Sequence, residues 1–382
     1  MINSKEVLEI KDYIIGARRF LHENPEPSLK EYKTADFVEK ELTGMGLRPI
    51  RVGETGLLAE IDTKNPGPTA FLRADMDALE LEDKKTCPYS SKNKGLAHAC
   101  GHDGHTAALL GAAKIIAANK SKYKGKIKLA FQAAEEIGAG ARIFVRDGHL
   151  KDVDFAFGIH LASDILLGKC EILDGPSYAS CDIFKVQVYG EAAHAASPHL
   201  GKDAALCLAN ILTELQNLVS RKKDPQEACV ISVGKISAGT RYNVVADSGF
   251  LEGTLRCLDE DLRKDFLKRI ENLARLIGEI HDCKITFTNY DAASVLVNDK
   301  DMADLARTKA SEIFSFENII SNGKPSLGAE DFADYSQVVK SVFVRVGSQS
   351  GKTTAYPHHH QLFDIDERAL LAACDLHLNM VK

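Results

Sequence analysis

Two patterns predict an α/β fold that carries a smaller inserted domain. Over about the first 180 residues, and again after 292, short apolar or β-branched runs alternate with helical patterns. Such alternation predicts a sheet covered on both faces. Between these stretches the order becomes βαββαβ, the ferredoxin-like arrangement. At 382 residues the chain exceeds one typical core. The expected organisation is therefore residues 1–180 with 292–382 as one domain and 181–291 as the insertion.

Apolar positions recurring at three and four predict a helix over 5–23, stopped by Asn24-Pro25, and another over 29–45, with Gly46 beyond its end. Strands are predicted over 57–61, 69–72, 126–131 and 155–159, with helices over 106–118 and 139–147. In the insertion, 182–189, 228–236, 248–256 and 284–290 read as strands, and 203–220 and 260–281 as helices. The first pattern resumes with a helix over 302–314 and a strand over 342–346.

Charged residues at 27% and apolar ones at 45% suit a soluble globular protein, and a net charge of −6 without a basic run argues against nucleic acid. The opening MINSKEVLEIKDY is charged and amphipathic, so no signal peptide is expected. The longest apolar stretch, 106–118, is broken by Lys114 and too short to cross a bilayer, so no membrane association is expected. Nine cysteines without a CxxC pair argue against a disulfide framework and for the cytoplasm.

The densest chemistry lies in HACGHDGH, His98 to His105, with three of the chain's thirteen histidines around Cys100. Histidine and cysteine suit zinc and its neighbours, and carboxylates complete such sites. Other titratable groups follow predicted strands: Asp75 and Asp77 in RADMD, Glu135 and Glu136 in FQAAEE, and His160 in FGIH. Ligands of open α/β sheets bind outside the carboxyl ends of the strands. Three strand ends and the histidine turn therefore converge on one rim.

RADMDAL, HACGHDGHTA, the Glu-Glu pair, GIH, HAASPH, NVV, GAEDFA and the late histidine run resemble the aminoacylase and hippurate-hydrolase branch of the dinuclear metallopeptidases, as does RRFLHENPEPSLKEYKTA near the start. The resemblance covers nearly the whole chain, in order. It implies an α/β metal domain with an inserted lid that also forms a homodimer. The implied metal ligands are Cys100, His102, Glu136, His160 and His359, holding two divalent ions (Zn, Mn, Ni or Co) per subunit. The resemblance selects His359 over His358 and His360 because it stands four residues before Phe363.

This set also makes chemical sense. A thiolate can bridge two cations, and Glu135, beside the ligating Glu136, is the expected general base. Asp77 is expected to orient a ligating histidine through its other ring nitrogen. Asp75 and Asp103 either do the same or only form turns. His98 and His105 have no ligand role in the resemblance. In the insertion, His194 matches an oxyanion donor that reaches the partner subunit's site, and Asn243 and Arg256 match positions holding the substrate's polar end. A structural ion pair is the other reading of Arg256, which falls on a predicted strand.

The family usually has proline where this chain has Glu80, Ala133 and Gln361, and glycines where it has Ala192-Ala193. LASDILLG after His160 also lacks the usual prolines. These departures concern the substrate more than the reaction. The expected activity is metal-dependent hydrolysis of the amide bond of an N-acyl amino acid. The alternatives are a dipeptidase or carboxypeptidase with the same machinery, or a non-catalytic metal or amino-acid binding relative.

Overall fold

The computed structural model describes residues 1–382. The chain divides into two compact units. One comprises Met1–Ser177, Val297–Lys324 and Asp331–Lys382, and the other Tyr178–Leu296 and Pro325–Glu330.

The first unit is built on an eight-stranded mixed sheet. Its centre is parallel: Thr69–Asp75 pairs with Lys126–Gln132 on one side and Phe155–Leu166 on the other, and Phe155–Leu166 pairs in turn with Lys340–Gln349. Gly56–Asp62 and Ile50–Val52 continue the sheet as antiparallel strands. Consecutive residues of Ala70–Asp75, Ile127–Gln132 and Phe155–Ser163 are buried. Successive side chains of a strand point to opposite faces, so unbroken burial means that both faces are covered. This is why these strands read as apolar runs rather than as alternation. The helix His102–Ala118 packs against Lys11–Glu23 and Arg368–Asn379 and on the strand Thr69–Asp75. Fourteen of its residues are buried, from His102 to Ile116.

Three sequence expectations need correction here. The helix expected over 5–23 is two helices, Lys5–Glu9 and Lys11–Glu23, broken at Ile10. The helix expected from 106 begins at His102, so His102, Asp103 and His105 lie on its first turns. The strand expected to end at 159 continues to Leu166, which puts His160 inside a strand rather than after one. Its continuation follows from parallel pairing with Lys340–Gln349, in register from Phe155 opposite Lys340 to Ala162 opposite Gly347.

The second unit is a four-stranded antiparallel sheet. Cys181–Tyr189 lies between Lys284–Ala293 and Ser248–Cys257, and Cys229–Ala238 forms an edge. With the helices Ala204–Arg221 and Glu260–Ile280 this is the βαββαβ order, and Ser248–Cys257 alternates strictly between buried and more exposed residues. Phe184, Val186 and Val188 from the sheet and Leu208, Ile211, Phe266 and Ile270 from the helices share one core. No helix of the chain is long and apolar enough to cross a membrane.

Candidate metal centre

Sheet and helix together bring the polar residues of the first unit to one place. Cys100 ends a loop, Gly101 takes φ +100°, and His102 opens the buried helix. Glycine adopts this left-handed conformation without the Cβ clash other residues meet. His160 comes from the central strand Phe155–Leu166. Glu135 and Glu136 follow the strand Lys126–Gln132 in a turn closed on itself, where Gly138 and Gly140 donate their N–H to the carbonyls of Glu135 and Ala134. A Cβ on Gly140 would lie 1.7 Å from the Ala133 carbonyl oxygen, so only glycine fits there.

Several groups of donor atoms result, among them Asp75 with His102 and His105, and His102 with Glu135 and Glu136, and two others share one sulfur. Cys100, His102 and His160 offer ligand atoms within 4.8 Å of one another, and so do Cys100, Glu136 and His359. Cys100 belongs to both. Each buried histidine is oriented through Nδ1, leaving Nε2 for the cluster. His102 Nδ1 donates to the Asp77 carbonyl at 2.9 Å and lies 3.3 Å from the Asp77 carboxylate. His160 Nδ1 donates to the Leu161 carbonyl at 3.0 Å, and its Nε2 lies 3.6 Å from Cys100 Sγ.

Of the three consecutive histidines, His359 Nε2 lies 3.3 Å from Glu136. His358 Nε2 donates instead to the Leu161 carbonyl, and His360 stacks on Tyr356. His359 is held at φ 63°, and its N–H donates to the Ala99 carbonyl at 2.7 Å.

The electrostatics suit cations. Burial pulls the His102 imidazolium down, but the Asp75 charge and the closeness of Asp77 and Cys100 hold it well above the usual histidine range. Hydrogen bonds to Cys100 and Glu136 push His359 up to about 10. Burial, and then the Glu136 charge, raise the Cys100 thiol. Burial, then the neighbouring His105 and His358, push His160 well below the usual histidine range, so within the cluster positive charge is favoured at His102 and His359 but not at His160. His102 Nε2 and Glu136 Oε1 are buried there without a hydrogen-bond partner. Thiolate, imidazole and carboxylate donors around unpartnered buried atoms fit borderline divalent ions. Metal binding would displace the protons these groups hold.

The family model of peptidase family M20/M25/M40 matches residues 71–382. The chain belongs to this family. It is 38% identical over 373 residues to an N-acetyl-L-cysteine deacetylase of Bacillus subtilis (97% of this chain, 88% of the relative). It is also 41% identical over 281 residues to an N-acyl-L-amino acid amidohydrolase of Geobacillus stearothermophilus (73% and 76%). The crystal structure of a dinuclear metal binding peptidase of the M20 family from Bacillus subtilis superposes with a TM-score of 0.85, at 30% identity and 98% coverage of both chains. The expected resemblance and fold class therefore hold, as does a metal-dependent hydrolase of this family.

Around the M20 cluster, residues left open by the sequence acquire definite surroundings. Asp75 forms no turn: it is buried against Arg73 at 2.6 Å and accepts from His105 Nδ1 at 2.6 Å, while His105 Nε2 accepts from the Leu161 N–H. Asp103 points away from the cluster, buried against Arg18 at 2.8 Å and His22 at 2.6 Å. His98 is buried beside His22. Asp77 spans more than the expected contact, because its two oxygens also accept from the N–H groups of Glu135 and Glu136 at 3.1 and 3.0 Å.

His194, Asn243 and Arg256 belong to the second unit. His194 is exposed, bridges to Val244, and accepts from the Ala196 N–H through Nδ1 at 3.1 Å. The Asn243 carbonyl receives the Ala195 N–H at 3.1 Å, and its side-chain Oδ1 is buried without a partner. Val244, Arg241 and Tyr242 line a cavity of about 590 Å³ beside them. Arg256 donates to the Leu327 carbonyl at 3.3 Å and pairs with no carboxylate, so the ion-pair reading of this residue is not met.

Ser28 and Glu31 were missed as site residues by sequence reasoning. Ser28 donates to Asp77 at 2.7 Å, and Glu31 is buried behind the Glu135 turn. The helix expected over 29–45 takes in Glu31, whereas the structure begins it at Tyr32, and the resemblance of this stretch gives neither residue a role.

Proposed function

We propose that this chain is a metal-dependent amidohydrolase that cleaves the amide bond of an N-acyl amino acid, giving a carboxylate and a free amino acid. The observation that carries the reading is the sharing of Cys100 by two donor sets, with Glu135 beside them. The deacetylase and amidohydrolase relatives support the substrate class.

Cys100, His102 and His160 would hold one divalent ion and Cys100, Glu136 and His359 the other. When bound, such a pair supplies Lewis acidity and a water of lowered pKa. Zinc, manganese, nickel and cobalt all suit the donor set. Glu135 takes the proton of the attacking water and delivers it to the departing amine, a role open to it because Glu136 supplies the ligand. Its carboxylate lies 4.0 Å from His102 Nε2, at the edge of the cluster. Asp77 keeps both glutamates in place through their backbone N–H groups and keeps His102 Nε2 turned inward.

His194 donates to the oxygen that becomes negative in the tetrahedral intermediate. It does so in the partner subunit of a homodimer formed through the insertion, which also acts as a lid. Asn243 and Arg256 bind the substrate carboxylate, which the guanidinium fork matches. The working compartment is the cytoplasm.

The test is a hydrolysis screen of N-acetyl and N-benzoyl amino acids against dipeptides, with zinc, manganese, nickel or cobalt added to chelator-treated protein. Release of free amino acid from the acylated substrates in preference to the dipeptides is expected. Preference for dipeptides would replace the reading with a peptidase. Metal uptake without hydrolysis of either would leave a binding protein.

A further inference from the structure

Glu31 is fully buried and stands at the N-cap of the helix Tyr32–Gly44, where a side chain can accept from the helix's own first N–H groups. It makes no such bond. Its Oε1 accepts the Ala134 N–H at 2.9 Å and the Leu29 N–H at 3.0 Å, and its Oε2 accepts the Thr55 hydroxyl at 2.6 Å. Ala134 precedes Glu135 and sits at φ 57°, in the left-handed region that disfavours any residue with a Cβ.

The next two N–H groups, of Glu135 and Glu136, go to the two oxygens of Asp77. Three consecutive amides are therefore held by two buried carboxylates, Glu31 at the end of the loop 26–31 and Asp77 just past the strand end at Asp75. Ser28 ties these supports together through its bond to Asp77, and the Ala78 N–H donates to the Glu26 carbonyl at 2.8 Å.

We propose that Glu31 is a positioning residue for the Glu135–Glu136 pair: it holds Ala134 in the left-handed conformation that aims both glutamates at the metal cluster. The inference rests on the assignment of Glu136 as ligand and Glu135 as base. A glutamine would keep its oxygen on the two N–H groups and give its N–H₂ to the Thr55 hydroxyl, which also accepts, whereas a methionine of similar length offers Ala134 no comparable acceptor. Glu31→Met therefore frees Ala134 to leave φ 57°, and the glutamates lose their aim. Glycine takes that conformation at no steric cost.

The experiment measures cobalt(II) binding to chelator-treated full-length protein by equilibrium dialysis, and kcat and KM on an N-acetyl amino acid. Glu31→Met is expected to weaken the cobalt equivalent that depends on Glu136 by about 10–100-fold, as loss of an outer partner of a ligand does, and to lower kcat more than KM. Ala134→Gly alone should leave cobalt affinity near wild type. Added to Glu31→Met, it should recover at least tenfold of the lost affinity.

A residue that only stabilises the fold would lose thermal stability but not the cobalt affinity of the folded protein, so Ala134→Gly would have no lost affinity to recover. Loss of thermal stability at unchanged cobalt affinity, or no rescue by Ala134→Gly, would overturn the proposal. If Glu31→Met does not fold, the near-isosteric Thr55→Val loosens the other oxygen of Glu31. It is expected to weaken cobalt binding several-fold, with the same rescue, and unchanged binding would overturn the proposal equally. Wild-type protein that binds two cobalt ions but hydrolyses no N-acyl amino acid fails the substrate reading and leaves this test intact. Cobalt binding untouched by Glu136→Gln fails the ligand assignment and the positioning role with it.

Discussion

Replacing Cys100 by alanine is the sharpest perturbation of the metal centre, because its sulfur is the one donor common to both sets. Cys100→Ala leaves His102 with His160 on one side and Glu136 with His359 on the other. Glu136→Gln or His359→Ala removes a donor from one set alone. Metal content after dialysis should therefore fall from about two equivalents to none in Cys100→Ala, and to about one in the single-set variants.

Stability supplies a second scale. A ligand at 100 times its dissociation constant stabilises the folded state by about 2.7 kcal/mol per site. With both sites filled, metal should add about 5 kcal/mol to the wild type, about half of that to the single-set variants and nothing to Cys100→Ala. The assay is denaturant unfolding with and without added metal, beside elemental analysis. Two equivalents retained by Cys100→Ala would refute the shared-sulfur reading. Complete loss in Glu136→Gln would refute the division into two sets.

Three other outcomes are expected. Glu135→Gln should keep its metal while turnover falls by roughly 10²–10⁴, the usual worth of a general base; metal loss equal to that of Glu136→Gln would mean the two roles are misassigned. His194→Ala should keep metal and lose about 10²–10³ in turnover, and subunit exchange with Glu135→Gln should restore activity if the histidine serves its partner. Heterodimers no more active than the parents would exclude that role. Gly140→Ala drives a Cβ into the Ala133 carbonyl oxygen at 1.7 Å, so it should cost about 3 kcal/mol or more and release metal, and a variant of wild-type stability would show that the turn can relax.

The parallel strands were legible because burial on both faces leaves unbroken apolar runs such as LAF and FAFGI. The insertion was legible because its sheet is solvated on one face, and Ser248–Cys257 alternates accordingly. The start of the helix at His102 was hidden, since histidine, aspartate and glycine have weak helical preference and read as a turn. What decides the matter is burial between other helices, which no local pattern reports. The position of His160 inside its strand was hidden for a similar reason: its neighbour, Lys340–Gln349, lies far away in sequence. Residues of the cluster carry distinctive chemistry and stand out. Glu31 and Ser28 do not, because a carboxylate before a helix has a commonplace use and only the folded chain shows that it serves another purpose.

The donor set also has a consequence for biosynthesis. Cys100, His102 and His160 leave the ribosome early, whereas His359 follows after nearly the whole chain has been made. The helix carrying His102 packs on Arg368–Asn379, and Asp375 on that last helix accepts from Asn3 and from the N–H of Ser4. A partly synthesised chain thus exposes a thiol and two imidazoles without the scaffold that fixes their geometry. Such a half-formed chelate is free to take up whichever soft cation is most available. On the proposed ligand assignment, metal selection would therefore be a property of the folded chain and not of the nascent one.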